Sequence, residues 1–352
     1  MGGHGQLQLI LDDRQRFAVD QFLMQGGSVI IAASPFHVTV DATIEGQQQN
    51  TGLDEWLRHN GVSIEQRFVL DPQNTPLLAP VERRVGGLTL REIRSLPYPH
   101  LPDIRESGLN QDNPITASLE QITLSWPSPL RIDSDKNSER SVHELLHSSS
   151  RSWTSSATDL TPNYRRYPDD GFAVSGERKQ RLLAAAIEGA FTSFYRGKDS
   201  PLLQEEGDDA ADASAAAADD AEDKDKKEAQ PTITSVIERS PNSARLIVVG
   251  SSSFVSDIAI DFISQSFNTN YEQQQAFLEN AIDWSLEDRN LLALRGRNQY
   301  ARTLPPLSED EQKLWEYTNY GFAALGLGLI WLWRRRTMAK DRARHAAIIA
   351  EI

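Results

Sequence analysis

Residues Asp12–Phe36 read DDRQRFAVDQFLMQGGSVIIAASPF, and this stretch sets the class of fold. Asp12 and Asp13 are helix-capping residues, and Val19, Phe22 and Leu23 recur behind them at helical spacing. The pattern predicts a helix running to about Gln25, stopped by Gly26-Gly27. Ser28–Ala33 is then apolar without alternation, as in a strand covered on both faces. Pro35 ends it. Working outward, Gly52–Asn60 predicts a short helix stopped by Gly61, and Ile64–Leu70 a second strand. Ala244–Gly250 (ARLIVVG) is a third buried strand, with Ser251–Ser253 as the N-cap of the next element. Gln273–Leu286 is a helix that aligns Leu278, Ala281, Ile282 and Ser285. Arg181–Phe191 also predicts a helix, since Leu182, Leu183, Ala186, Ile187 and Ala190 share one helical face. Residues 72–170 are broken by repeated prolines and predict short strands, such as Gln121–Trp126, joined by long loops. The alternation of helix and strand predicts an α/β chain with a doubly wound, mostly parallel sheet.

Composition narrows the function. The 352 residues contain no cysteine, which excludes thiolate zinc sites, iron–sulfur clusters, disulfides and thiol catalysis. The formal charge is −14, from 36 basic and 50 acidic residues. That balance argues against affinity for nucleic acid built on phosphate contacts. Much of the deficit sits in Glu205–Glu228, where eleven acids meet three lysines among alanines, with no aromatic or β-branched residue. Such a segment cannot bury enough apolar surface to offset its ordering entropy, so residues 205–230 predict a disordered linker. It divides an α/β domain into a first part, 1–204, and a second part, 231–305.

The motifs that carry chemistry are few. His143-Glu144-Leu145-Leu146-His147 is an H-E-x-x-H. On a helix, His143 and His147 would share a face and could hold zinc, with Glu144 as general base on a zinc-bound water. A third ligand is required, and Glu188 is the candidate. The polar residues on either side speak against a helix, so the expectation is no metal site. A membrane-anchored zinc metallopeptidase stays as the alternative. Gly250-Ser-Ser-Ser lacks the closing glycine of a nucleophile elbow. No G-x-x-x-x-G-K-[ST] and no G-x-G-x-x-G after a strand is present, and no cofactor is expected.

Tyr317–Trp333 (YTNYGFAALGLGLIWLW) is uncharged. Extended back to Leu314 it has the length of a transmembrane helix, with Trp315, Tyr317 and Tyr320 at one end and Trp331 and Trp333 at the other. Arg334, Arg335, Arg336, Lys340, Arg342 and Arg344 come after it, while Arg302 and Lys313 precede it. This asymmetry predicts a single span over 314–333, a cytoplasmic basic tail over 334–352, and an extracytoplasmic bulk. Gly321, Ala324 and Gly328 line one face of that helix and allow close packing. The N-terminus carries no export signal, so the chain is expected to be a piece of a longer protein.

Three segments carry a resemblance: Asp12–Phe36, Ser243–Asp257 with Phe277–Arg297 (FLENAIDWSLEDRNLLALRGR), and the terminal run ending in RRR. Together they resemble the auxiliary proteins of ABC-type transport systems, the group that includes gliding-motility GldG. The resemblance implies a flavodoxin-like or glutaminase-like α/β domain outside the bacterial cytoplasmic membrane. It implies a non-enzymatic accessory subunit acting with a permease and a separate ATPase, and in some members fusion to permease helices. It implies no catalytic residues.

Overall fold

The computed structural model describes residues 10–85, 88–203, 235–286 and 309–350. The chain divides into two compact units, Met1–Arg297 and Asn298–Ile352. The acidic stretch 205–228 lies outside the described residues.

The first unit opens with helix α1 (Asp13–Met24). Asp12 closes a capping box: its Oδ1 accepts from the Gln15 amide at 2.7 Å, and Gln15 Oε1 accepts from the Asp12 amide at 3.1 Å. Such a cap is worth about 1 kcal/mol. Gly26 turns the chain out of the helix at φ +91°, a conformation that strains any residue with a Cβ. Strands β1 (Ser28–Ala32), β2 (Phe36–Val40) and β3 (Ile44–Gln48) come next, then helix α2 (Asp54–His59). The single strand expected over 64–70 is two, β4 (Val62–Ile64) and β5 (Phe68–Leu70). The polar Glu65-Gln66-Arg67 separates them, and the Arg67 amide turns back onto the Glu65 carbonyl at 2.8 Å. A hairpin, β6 (Leu77–Val85) and β7 (Leu88–Leu96), precedes β8 (Asp103–Arg105), α3 (Pro114–Ala117) and β9 (Gln121–Thr123). Then come β10 (Leu130–Ile132), β11 (Ser141–His147), β12 (Trp153–Ser155), β13 (Leu182–Glu188) and β14 (Arg245–Val249). Helices α4 (Asp257–Phe267) and α5 (Gln273–Ser285) close the unit.

The central sheet has the order β1-β14-β13-β11. Strands β1 and β14 are parallel, in register from Ser28 opposite Arg245 to Ala32 opposite Val249. β13 runs antiparallel to both β14 and β11. This corrects two expectations. The segment predicted as a helix over Arg181–Phe191 is the inner strand β13, and the sheet is mixed rather than mostly parallel.

Side chains alternate across this sheet with the period of two that a strand imposes. Ala184, Ala186, Ile247 and Val249 enter one buried cluster with Ile115 of α3 and Phe277, Ala281 and Trp284 of α5. Ala185, Ile187, Leu246 and Val248 enter another with Leu23 and Met24 of α1 and Trp56 and Leu57 of α2. The core is therefore three layers, with helices on both faces. Each fully buried Leu, Ile or Phe there contributes about 1.5–3 kcal/mol relative to exposure. Arg245 is buried between β14 and α5. Its Nη1 donates to the Trp284 carbonyl at 2.7 Å, and its Nη2 reaches Glu188 at 3.3 Å. A third cluster gathers Phe36, Phe68 and Trp153 from the short strand pairs with Tyr98, Trp126 and Leu160 from the loops, and joins Ala259 of α4 to them.

The second unit holds helix α6 (Glu309–Ala350), 42 residues long. Its large apolar side chains are exposed, among them Leu327 and Trp333 at 70 % each. Among the described residues, no helix is long and apolar enough to cross a membrane. Tyr317, Asn319 and Tyr320 dilute the start of the uncharged run. The apolar remainder, Phe322 to Trp333, covers about 18 Å, against a hydrocarbon core of about 30 Å. The twenty-residue crossing expected over 314–333 falls within α6, whose short apolar middle does not by itself establish it.

Candidate functional site

The H-E-x-x-H residues lie on β11, not on a helix. Along a strand, positions i and i+4 stand about 13 Å apart, whereas zinc needs both nitrogens at about 2.0–2.1 Å. The register of β11 against β13 shifts between Glu144 and Leu146 and again before His147, so Leu145 and Leu146 are both buried. The strand forms because Leu145 and Leu146 are taken into the core beside Leu183 and Ala184. His147 Nε2 meets Glu144 Oε2 at 2.9 Å, while Asn110 Nδ2 donates to the Glu144 carbonyl at 2.8 Å. The expected third ligand, Glu188, ends β13 and accepts from Arg245. Among the described residues, no group of three or more His, Asp or Glu side chains could hold a metal.

The serines after β14 are engaged by the loop between β9 and β10. Ser251 is fully buried and its Oγ donates to the Ser125 carbonyl at 2.5 Å, while Ser253 Oγ lies 3.2 Å from Ser125 Oγ. The cap of α4 is Ser256, whose Oγ accepts from the Ala259 amide at 3.3 Å, rather than Ser251–Ser253. The Ser128 amide donates to the Gly250 carbonyl at 2.6 Å, and a Cβ on Gly250 would collide with the Ser128 carbonyl oxygen. The crevice beyond the carboxyl ends of β1 and β14 is thus occupied by the chain itself.

Buried polar groups in the aromatic lobe escaped sequence reading. Tyr98 Oη donates to the Leu160 carbonyl at 3.0 Å and accepts from Trp126 Nε1 at 3.1 Å. Trp126 holds φ +46°, in the left-handed region that non-glycine residues rarely adopt. His100 packs against Phe68, Tyr98 and Phe172, with the Phe172 ring centroid at 4.7 Å. Burial pushes its pKa down to about 3. Burial likewise raises the carboxyl of Asp71, although the amide and hydroxyl of Ser149 both donate to it at 2.6 Å.

The sequence reading also missed a groove of about 420 Å³ between the short sheets β4–β10 and β5–β12. Arg67, Arg131, Lys179 and Arg181 bring four cations to it, and Glu65 and Glu177 two carboxylates. Thr154 of β12 and Ser175 add hydroxyls. Backbone bonds from Lys179 N to Ser152 O at 3.0 Å and from Ser148 N to Arg181 O at 2.9 Å hold the 175–181 segment in place. The lining comes from four separated segments. The one local signal is the run Glu177-Arg-Lys-Gln-Arg181.

On α6, Gly321 and Gly328 have open space where a Cβ would stand, and Ala324 beside them is exposed. These three residues, expected to line a packing face, lie on α6 at i, i+3 and i+7.

No curated protein and no solved structure matches the chain. A family model described as ABC-type uncharacterized transport system matches residues 8–281, which takes in the central sheet and the aromatic lobe. A match over so much of the sequence decides membership: the chain belongs to this family of auxiliary components of ABC-type transport systems.

Proposed function

We propose that the protein is a non-catalytic, GldG-like accessory subunit that acts with a permease and a separate ATPase at the bacterial cytoplasmic membrane. Family membership over residues 8–281 carries this reading. The absence of a Walker A sequence from these residues supports a separate ATPase, because the backbone cradle for nucleotide phosphates has to come from elsewhere. The strand position of His143–His147 favours this reading over the metallopeptidase alternative.

In this proposal α6 is seated in the membrane beside a permease helix. Its apolar middle is short, and aromatic residues flank it at both ends. Such a helix is stabilised by a partner and by interfacial anchoring more than by hydropathy alone. The six basic residues after Trp333 favour a cytoplasmic C-terminus, which puts the α/β unit outside. The test is affinity purification of the full chain from native membranes in mild detergent. A polytopic permease and a P-loop ATPase should co-purify in fixed ratio. Recovery of neither would overturn the proposal.

A further inference from the structure

The groove between β4–β10 and β5–β12 has a charge balance unlike that of the chain around it. The protein is acidic overall, at −14, yet four cations and two carboxylates line this cavity. Two of the cations are already matched. Arg131 Nη2 lies 3.1 Å from Glu65 Oε1, and Lys179 Nζ lies 3.1 Å from Glu177 Oε2. The other two are not. The side chain of Arg67 is exposed and has no partner among the described residues. Arg181 gives one bond, from Nη2 to the Glu177 carbonyl at 3.2 Å, and its buried Nε has no acceptor among the described residues.

The shape and chemistry of the lining select the ligand. Two guanidinium groups with open donors are suited to an oxyanion, because the planar fork matches phosphate or carboxylate oxygens pairwise. Their combined charge balances a dianion. Among the described residues, no aliphatic or aromatic side chain lines the cavity. It therefore offers no apolar surface to an acyl chain, and it suits a compact, water-soluble ligand. A volume of about 420 Å³ falls within the ordinary range for small-molecule sites. Thr154 and Ser175 supply neutral hydroxyls for the non-ionic part of such a ligand.

We propose that this groove binds a small water-soluble phosphate monoester through Arg67 and Arg181. The site needs neither the permease nor the ATPase, so it stands or falls separately from the transport reading. The test is calorimetry on the purified full chain at constant ionic strength, with glycerol 3-phosphate and inorganic phosphate as probes. Vesicles containing phosphatidic acid serve as a second arm. Saturable binding of glycerol 3-phosphate is expected at millimolar concentration or below. Arg181→Gln should weaken it roughly tenfold or more, which is the loss of one strong charge-assisted bond. Arg67→Gln changes an exposed residue, leaves folding intact, and should weaken binding in the same direction. Arg196→Gln, outside the groove, should leave the affinity unchanged. Absence of saturable binding, or wild-type affinity in both Arg67→Gln and Arg181→Gln, would overturn the site. Binding to the vesicles alone would overturn the soluble ligand.

Discussion

His100 and Asp20 show how single side chains tie this fold together in opposite ways. Asp20 of α1 is fully buried and fully met. Its carboxylate accepts from Trp56 Nε1 at 2.9 Å, Ser193 Oγ at 2.6 Å, the Phe194 amide at 3.0 Å and Gln21 Nε2 at 3.1 Å. One carboxylate thereby joins α1 to α2 and to the chain after β13. His100 is buried among aromatic rings instead, and its Nδ1 has no partner among the described residues. An imidazole in that setting stays neutral, with its pKa at about 3 rather than the ordinary 6.5. The folded value is depressed, so the stability it carries is complete above pH 6.5 and is lost as pH falls toward 3. In that window the unfolded chain binds a proton that the folded chain refuses. The loss amounts to about 1.4 kcal/mol per pH unit. Replacing His100 by Phe removes the proton and leaves an apolar ring. Urea unfolding followed between about pH 6 and pH 4 should show a slope of stability against pH shallower than wild type by that amount. An unchanged slope would mean that His100 titrates normally in the folded protein.

At the scale of the element, β13 teaches the most about what this sequence reveals. Leu182–Glu188 reads as a helix because alanine favours helices and because the apolar residues also fit a helical face. A continuous apolar run fits a strand covered on both faces equally well, and periodicity cannot separate the two. The alanines are there because the sheet is covered closely on each side: Ala184 and Ala186 face one cluster and Ala185 the other. Enlarging Ala185 to Leu should therefore cost about 1–3 kcal/mol by overpacking, read as a lower urea midpoint. On a half-exposed helix the same change would be neutral. By contrast α1, β1, β14 and α5 are legible, because an Asp cap, a glycine stop, an unbroken apolar run or apolar residues at helical spacing mark them locally. His143 and His147 are legible as residues but not as geometry, since the motif is silent about the bulged strand that Leu145 and Leu146 force. The groove is legible only in the charged run Glu177–Arg181. Its charges are brought together by the pairing of β4 with β10 and of β5 with β12, elements far apart in the sequence.

At the scale of the whole molecule, two units do different work. The three-layer unit buries its apolar residues on both faces of one mixed sheet, whereas α6 leaves its own exposed. On the proposed function, the exposed helix meets a permease helix, and the spacing of its small residues says which face does so. Gly321, Ala324 and Gly328 stand at i, i+3 and i+7 and present open space at both glycines. Small residues at that spacing let a second backbone approach closely, which gains dispersion contacts where the hydrophobic effect contributes little. Phe322, Leu325 and Leu329 stand on other faces of the same helix, 59–69 % exposed, and suit lipid. Replacing Ala324 and Gly328 by Leu fills the small-residue face while raising hydropathy, so association with the membrane should survive. Recovery of the permease by affinity purification should then fall by roughly tenfold or more, as expected for loss of a close helix contact worth about 1–2 kcal/mol. Replacing Leu325 and Leu329 by Ala lowers hydropathy but spares the small-residue face, so recovery should stay near wild type. Equal recovery with both pairs of variants would make α6 a plain anchor. Loss confined to the Leu325 and Leu329 variants would move the contact to the face that carries those leucines.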